Sequence, residues 1–441
     1  MKALTLITVA VALMAGGCNL DTKYAIGGTV TGIMGQGLVL EDNMGDNLSL
    51  SSDGSFTFAT GIKNGDVYSV TVATQPSNPA QTCSVHNGSG TVAKAAVTNV
   101  IVSCTQAGRF AYVANQTANS LSAYSIDSAT GYLTPVAGSP FAAAGTGPTS
   151  LTVDPNYRYL YVVNNTSNTV AAYLIDNSTG ALTEVGEPVA TGSGPDAVVV
   201  DLTDNYLYVA NLASNSVSAY SIDSSSGGLT PVANSPFAVG AEPASLKIDP
   251  NDNFLYVANF ADGTISVLAI DAATGSLSEI SGSPFAAGVG ALSIAINPAD
   301  SFAYVANETA DSISEFSVNS TTGALTPVSG SPLSTGTSPE SVAIDPQGRF
   351  VYAADVTARN QVAVYSINES SGALTLSGTP IGSGVFPISL ALDPSGTFAY
   401  VANDSSADIS VYSVDGTTGA LAAVSGAPFA SAGGPRWIAI D

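Results

Sequence analysis

The sequence predicts an all-β chain: a seven-bladed β-propeller closed by its C-terminal strand, preceded by a small immunoglobulin-like β-sandwich. Three observations carry this. A strand pattern typified by "RFAYVANQTANSLSAYSID" recurs with its tyrosine at Tyr112, Tyr161, Tyr208, Tyr256, Tyr304, Tyr352 and Tyr400, spaced by 49, 47, 48, 48, 48 and 48 residues. That spacing is a blade period. Each repeat holds four strand-like runs, for example "PTSLTVDP", "YLYVVNN", "TVAAYLID" and "ALTEVGEP", and shows none of the periodicity of a helical pair. The ends also complement each other. The repeat region begins on a second strand at Arg109 and finishes on a first strand with nothing after it, "PRWIAID", Pro435 to Asp441. Pairing the two fragments completes a seventh blade and leaves no open inner edge.

Taken in order, residues 1–17 read as an export signal, with one early Lys, a short apolar run and small residues before Cys18. The apolar run is short for a bilayer crossing. The "MAGGC" ending resembles the lipobox of bacterial lipoproteins, which implies lipidation of Cys18, an anchor linker over 18–23, and attachment to a membrane through lipid alone. Asn19 after the Cys implies, within that family, the outer membrane or cell surface; without the anchor the chain is expected to be periplasmic or secreted.

Residues 24–105 alternate apolar and polar positions between Gly, Asn, Asp and Pro turns, as in "YAIGGTVTG", "GSFTFAT" and "VYSVTVAT". These runs suggest a small antiparallel sandwich, which resembles the immunoglobulin-like spacers of bacterial surface proteins. With Cys18 assigned to lipid, Cys83 and Cys104 remain as a pair, expected to form a disulfide in an oxidising compartment that stabilises by about 3 kcal/mol. His86, the only His, sits in the turn-like "SVHNGSG" and is expected to be a solvated loop residue.

Residues 106–441 form the propeller region. Asn115, Asn164, Asn211, Asn259, Asn307 and Asn403, with Asp355 in the sixth copy, end a strand, where an Asx side chain is expected to bond backbone amides of the turn. Asp154, Asp249, Asp345 and Asp393, with Asn297 substituting, are expected to do the same before Pro. Gly131, Gly180, Gly275, Gly323, Gly372 and Gly419 supply the positive φ of a tight hairpin.

The net charge of −24, from 34 acids against 10 Lys plus Arg, argues against nucleic acid and anionic lipid as partners. A monomer is expected, with an unknown small molecule or surface protein as partner.

The text "LYVAN" followed by "SVSAYSIDSSSGGL" and "PASLKIDPNDNFLYVAN" resembles the YVTN-type repeats of the lactonase-like seven-bladed propeller family, across essentially all of 109–441. That family includes propeller-type 6-phosphogluconolactonases and fungal carboxymuconate cyclases, along with surface proteins of no known activity. The resemblance implies a fold more than a reaction, since fold does not fix function. In enzymes of the family the residue after the Pro that opens the innermost strand often carries His or Arg. Here that position holds Thr149, Asp196, Ala244, Leu292, Glu340, Ile388 and Arg436. No His occurs in the propeller, and its cations are Arg109, Arg158, Lys247, Arg349, Arg359 and Arg436, which argues against a phosphorylated lactone at a mostly acidic mouth.

Chemistry is therefore sought where the copies disagree. Asp196, Glu340 and Arg436 can converge at the channel mouth, a carboxylate acting as general base and Arg436 steadying an oxyanion; the alternative is solvated loop charges on three blades. Lys247 replaces the small or aliphatic residue found at Thr152, Val199, Ala295, Ala343, Ala391 and Ala439, so it must reach channel water or an acid. Trp437 stands where most blades have Ser, either packing the closed ring or stacking a ligand. Two functions remain open: an exported binding or interaction module, or a lactone hydrolase working through its carboxylates directly or through a divalent cation such as calcium.

Overall fold

The computed structural model describes residues 22–33, 37–43, 45–76, 81–106, 109–356 and 360–441. The expected signal, the lipidated Cys18 and Arg359 lie outside these residues. The chain divides into two compact units, Met1–Gln106 and Ala107–Asp441.

The N-terminal unit contains two four-stranded sheets. One orders Gly54–Thr57, Ile26–Thr31, Val97–Gln106 and Gln81–His86; the other orders Asp46–Leu50, Leu38–Asp42, Val67–Thr74 and Ser89–Thr91. Both contribute to one core around Ile26, Val30, Leu38, Leu40 and Val100. The Cys83–Cys104 disulfide forms, and it joins directly opposed residues of neighbouring strands within one sheet. It therefore staples a strand pair and does not bridge two facing sheets, the arrangement found in antibody domains. His86 is exposed, as expected, but it ends a strand and pairs in register with Ile101.

The C-terminal unit is a ring of seven antiparallel sheets. Numbered from the N-terminus, the innermost strands of blades 2 to 7 are Pro148–Val153, Pro195–Val200, Pro243–Ile248, Ala291–Ile296, Pro339–Ile344 and Pro387–Leu392. Blade 1 takes its innermost strand from the other end of the chain: Pro435–Ile440 pairs with Phe110–Asn115. The expected closure is thus observed. In six blades the outer edge is split, as where Leu133–Pro135 and Phe141–Ala142 both pair with Ser120–Ile126, whereas blade 2 uses the single strand Leu182–Ala190.

The repeated residues explain the assembly. All seven repeat tyrosines are fully buried. Six donate a hydrogen bond to a glycine carbonyl of the following blade, from Tyr112 to Gly180 at 3.3 Å through Tyr304 to Gly372 at 2.8 Å. The hairpin glycines have φ near +70°, as expected, and serve a second purpose. A Cβ on Gly275 would run into the Tyr206 ring of the preceding blade, and one on Gly419 into Phe350. Glycine here is what lets one blade lie against the next.

The Asp-Pro turns behave as expected. Asp154 Oδ1 accepts the N–H groups of Arg158 and Tyr159 at 2.6 and 2.7 Å, and Asp249, Asp345, Asp393 and Asn297 repeat the pattern. Asp201, which precedes Leu and not Pro, does so too. The strand-ending Asn residues differ from expectation. Asn115, Asn211, Asn259 and Asn307 are completely buried, and each side-chain amide donates to two hydroxyls on the next strand, as from Asn115 to Ser120 and Ser122 at 3.3 and 2.9 Å. A side chain buried between strands finds hydroxyl partners more readily than turn amides already engaged in backbone bonds.

Candidate functional site at the channel mouth

Each innermost strand starts with Pro, or Ala291 in blade 5, at a position where a missing N–H costs the ladder little. The pairing then slips by one residue: Pro195 opposes Asn211, but Ala197 opposes Ala210. The same shift occurs in all seven blades, leaving Thr149, Asp196, Ala244, Leu292, Glu340, Ile388 and Arg436 as bulged residues. A bulge leaves its extra residue unpaired and re-aims its side chain. All seven line a single cavity of about 50 Å³, joined by Ser245, Ser293, Ser341 and Trp437.

Asp196, Glu340 and Arg436 are thus brought together. They stand on blades 3, 6 and 1, so Arg436 is two blades from either acid and the acids are three apart. Neither acid closes a salt bridge with Arg436. Its charge nevertheless acts on both.

Protein surrounds the mouth on every side, and this governs titration even though both acids retain contact with solvent in the channel. Burial raises the Asp196 carboxyl above the usual range, and Arg436 opposes the rise. Glu340 is pushed up to about 7, first by burial and then by the like charge of Glu308, again against Arg436. A carboxyl with that value is half ionised near neutrality, as suits a general base. Glu308 follows the second strand of blade 5, Phe302–Asn307, and sequence comparison among the blades did not single it out. Its signal is an acid where five other blades carry Gln116, Asn165, Leu212, Phe260 and Val356, blade 7 alone sharing the charge through Asp404.

The serine after four of the bulges has its own task. The hydroxyls of Ser245, Ser293, Ser341 and Ser389 each accept an N–H from the innermost strand of the following blade, at 3.4, 3.1, 3.2 and 3.3 Å. Trp437 replaces that serine in blade 1 and packs with Leu151 and Ala439 while lining the mouth. Lys247 does not reach the mouth. It lines the deeper channel, a chamber of about 440 Å³ that shares Ser245, Ser293, Ser341 and Trp437 with the mouth. Among the described residues no three His, Cys, Asp or Glu side chains gather as a metal cluster. The acids at the mouth alone do not make up a calcium site, which takes six to eight oxygen ligands.

The family described as Lactonase, 7-bladed beta-propeller matches residues 64–200, 190–290 and 282–440. The chain belongs to this lactonase family. Its fold is similar to three solved structures. A Lactobacillus plantarum protein shares 23% identity at a TM-score of 0.66, over 76% of this chain and 100% of that one. The periplasmic gluconolactonase of Pseudomonas aeruginosa shares 20% at 0.66, over 75% and 98%. A Bacteroides uniformis protein assigned as a 6-phosphogluconolactonase shares 18% at 0.68, over 76% and 100%. At such identities the likeness is one of fold. No curated protein sequence matches this lactonase-family chain.

Proposed function

We propose that this protein hydrolyses an unphosphorylated lactone at the propeller mouth. The observation that carries the proposal is that Asp196, Glu340 and Arg436 line one cavity of a lactonase-family propeller. In the reaction, ionised Glu340 takes a proton from water as its oxygen bonds to the acyl carbon. The oxyanion that forms is stabilised by Arg436. The ring C–O bond then breaks, and the leaving alkoxide takes a proton from Asp196, whose acid form burial favours; the proton that Glu340 took up then returns to Asp196. The products are a hydroxy acid and, once its carboxyl ionises, one proton.

The charge of the mouth supports the choice of substrate. Ionised Glu340 with Glu308 behind it outweighs the one Arg, so the mouth repels a doubly charged phosphate. Acid release is measured in a pH-stat with phosphorylated and unphosphorylated lactones, calcium being added or chelated. Release from an unphosphorylated lactone that drops about a hundredfold or more in Glu340→Gln supports the proposal. No release above background with any lactone overturns it, and leaves the mouth as part of a binding module.

Export belongs to the same proposal. A signal over 1–17 and a lipid on Cys18 supply the oxidising compartment that the disulfide needs. Replacement Cys18→Ser should move the protein from the membrane fraction to the soluble fraction; an unchanged membrane fraction defeats the anchor.

A further inference from the structure

The channel chamber below the mouth holds a cation that the proposed chemistry does not use. On the innermost strand of blade 4, Leu246 and Ile248 turn into the core, while Ser245 and Lys247 alternate with them and face the chamber. The Lys247 ammonium makes no hydrogen bond or ion pair. Small and aliphatic side chains share its level of the channel: Thr152, Val199, Ala295, Ala343, Ala391 and Ala439. Asp345 also lines the chamber, but its carboxylate is occupied: Oδ1 accepts the N–H groups of Arg349 and Phe350, and Oδ2 lies 3.4 Å from Arg349 Nε. The Lys247 side chain is exposed to channel solvent, yet the protein around the channel lowers the proton affinity of its amine, a shift that a bound anion would reverse. The other blades put small or aliphatic residues at this position, so Lys247 serves no requirement of the ring itself.

We propose that this chamber binds a small organic carboxylate with an apolar body. The carboxylate pairs with the Lys247 ammonium, and the body lies against the aliphatic wall. An unpaired ammonium inside a channel walled by protein attracts an anion more strongly than one on an open surface does. A volume of about 440 Å³ falls within the usual range of small-ligand sites. This site does not depend on ring opening at the mouth.

The protein carries its own reporter. Trp437 is the only Trp and lines both mouth and chamber, so its fluorescence responds to a ligand in either. Purified protein is titrated with benzoate and, as a neutral control of similar shape, with benzamide, by Trp fluorescence and by calorimetry. Benzoate should saturate, with affinity about tenfold or more weaker in Lys247→Met, partly kept in Lys247→Arg, and kept in Glu340→Gln. Benzamide should bind no better than benzoate binds Lys247→Met. Melting curves establish that each variant is folded. Equal benzoate affinity in wild type and folded Lys247→Met, or no saturable benzoate binding to the wild type, overturns the proposal. Loss of lactone opening in Glu340→Gln with benzoate binding intact separates this site from the mouth.

Discussion

The carboxylate of Asp441 accepts the backbone N–H groups of both Arg109 and Phe110 at 2.7 Å, across 332 and 331 residues of sequence. Asp154 does the same for Arg158 and Tyr159 within one turn of its own blade. Asp441 is therefore the turn residue of blade 1, supplied from the far end of the ring, and the Arg109 guanidinium lies 3.7 Å from its other oxygen. Removing two short hydrogen bonds to a buried charged acceptor costs about 3 kcal/mol or more. Asp441→Ala should lower the melting temperature, and deletion of Pro435 to Asp441 should lower it far more, by exposing the edge of Phe110–Asn115. A deletion variant that melts like the intact protein would show that the ring does not rely on this strand.

The seam leaves a second mark. Six repeat tyrosines donate to the next blade, but the Tyr400 hydroxyl, which faces the closing blade, is buried with no partner. The rings still pack across the seam, because a Cβ at Gly131 would meet Phe398. A made hydrogen bond is worth about 1 kcal/mol, whereas a buried unmade one is a liability. Tyr304→Phe should therefore destabilise by about 1 kcal/mol, and Tyr400→Phe should be neutral or stabilising in denaturant titrations. Equal losses would show that the two hydroxyls are in the same state.

Blade 6 carries an acid where six blades carry Asn. Asp355 is 1% exposed, and burial pushes its carboxyl up to about 6, against the nearby Thr337 hydroxyl and a hydrogen bond from Gln361 at 3.4 Å. Because the folded value lies above the unfolded one, the folded chain holds its proton longer. The contribution to stability is complete below about pH 4 and is lost as pH rises through about 6. At neutral pH the ionised group costs roughly 2 to 3 kcal/mol. Asp355→Asn should raise the melting temperature at pH 7, and the difference should vanish near pH 4. A difference that does not change with pH would remove ionisation as its cause.

What could be read from the sequence was whatever repeats locally. The Tyr spacing, the four runs per repeat and the two half-blades at the ends identified the ring, and the Pro-x positions identified the residues that share the mouth. Contacts between blades were hidden because they join residues 66 to 68 apart, as between Tyr208 and Gly275. The hairpin glycines therefore revealed their φ but not the rings they accommodate. The Asn role was misjudged although its partners, five and seven residues on, were in plain view, because only the hairpin turns those hydroxyls toward it. Glu308 escaped notice because its effect on Glu340 is electrostatic and depends on how neighbouring blades 5 and 6 pack.

The charges around Glu340 make the proposed base testable without reference to fold. As base it must be ionised, so activity should rise with pH along a limb centred on about 7. Glu308 raises the Glu340 value and Arg436 lowers it. Glu308→Gln should move the rising limb to lower pH, leaving the maximal rate within a few-fold. Arg436→Gln should move it to higher pH and also cut the maximal rate by about a hundredfold, since it removes the oxyanion partner. General damage to the fold would shift both limbs alike or neither. Opposite shifts from substitutions on blades 5 and 1 are expected only if the titrating group is the carboxyl on blade 6 that feels both charges.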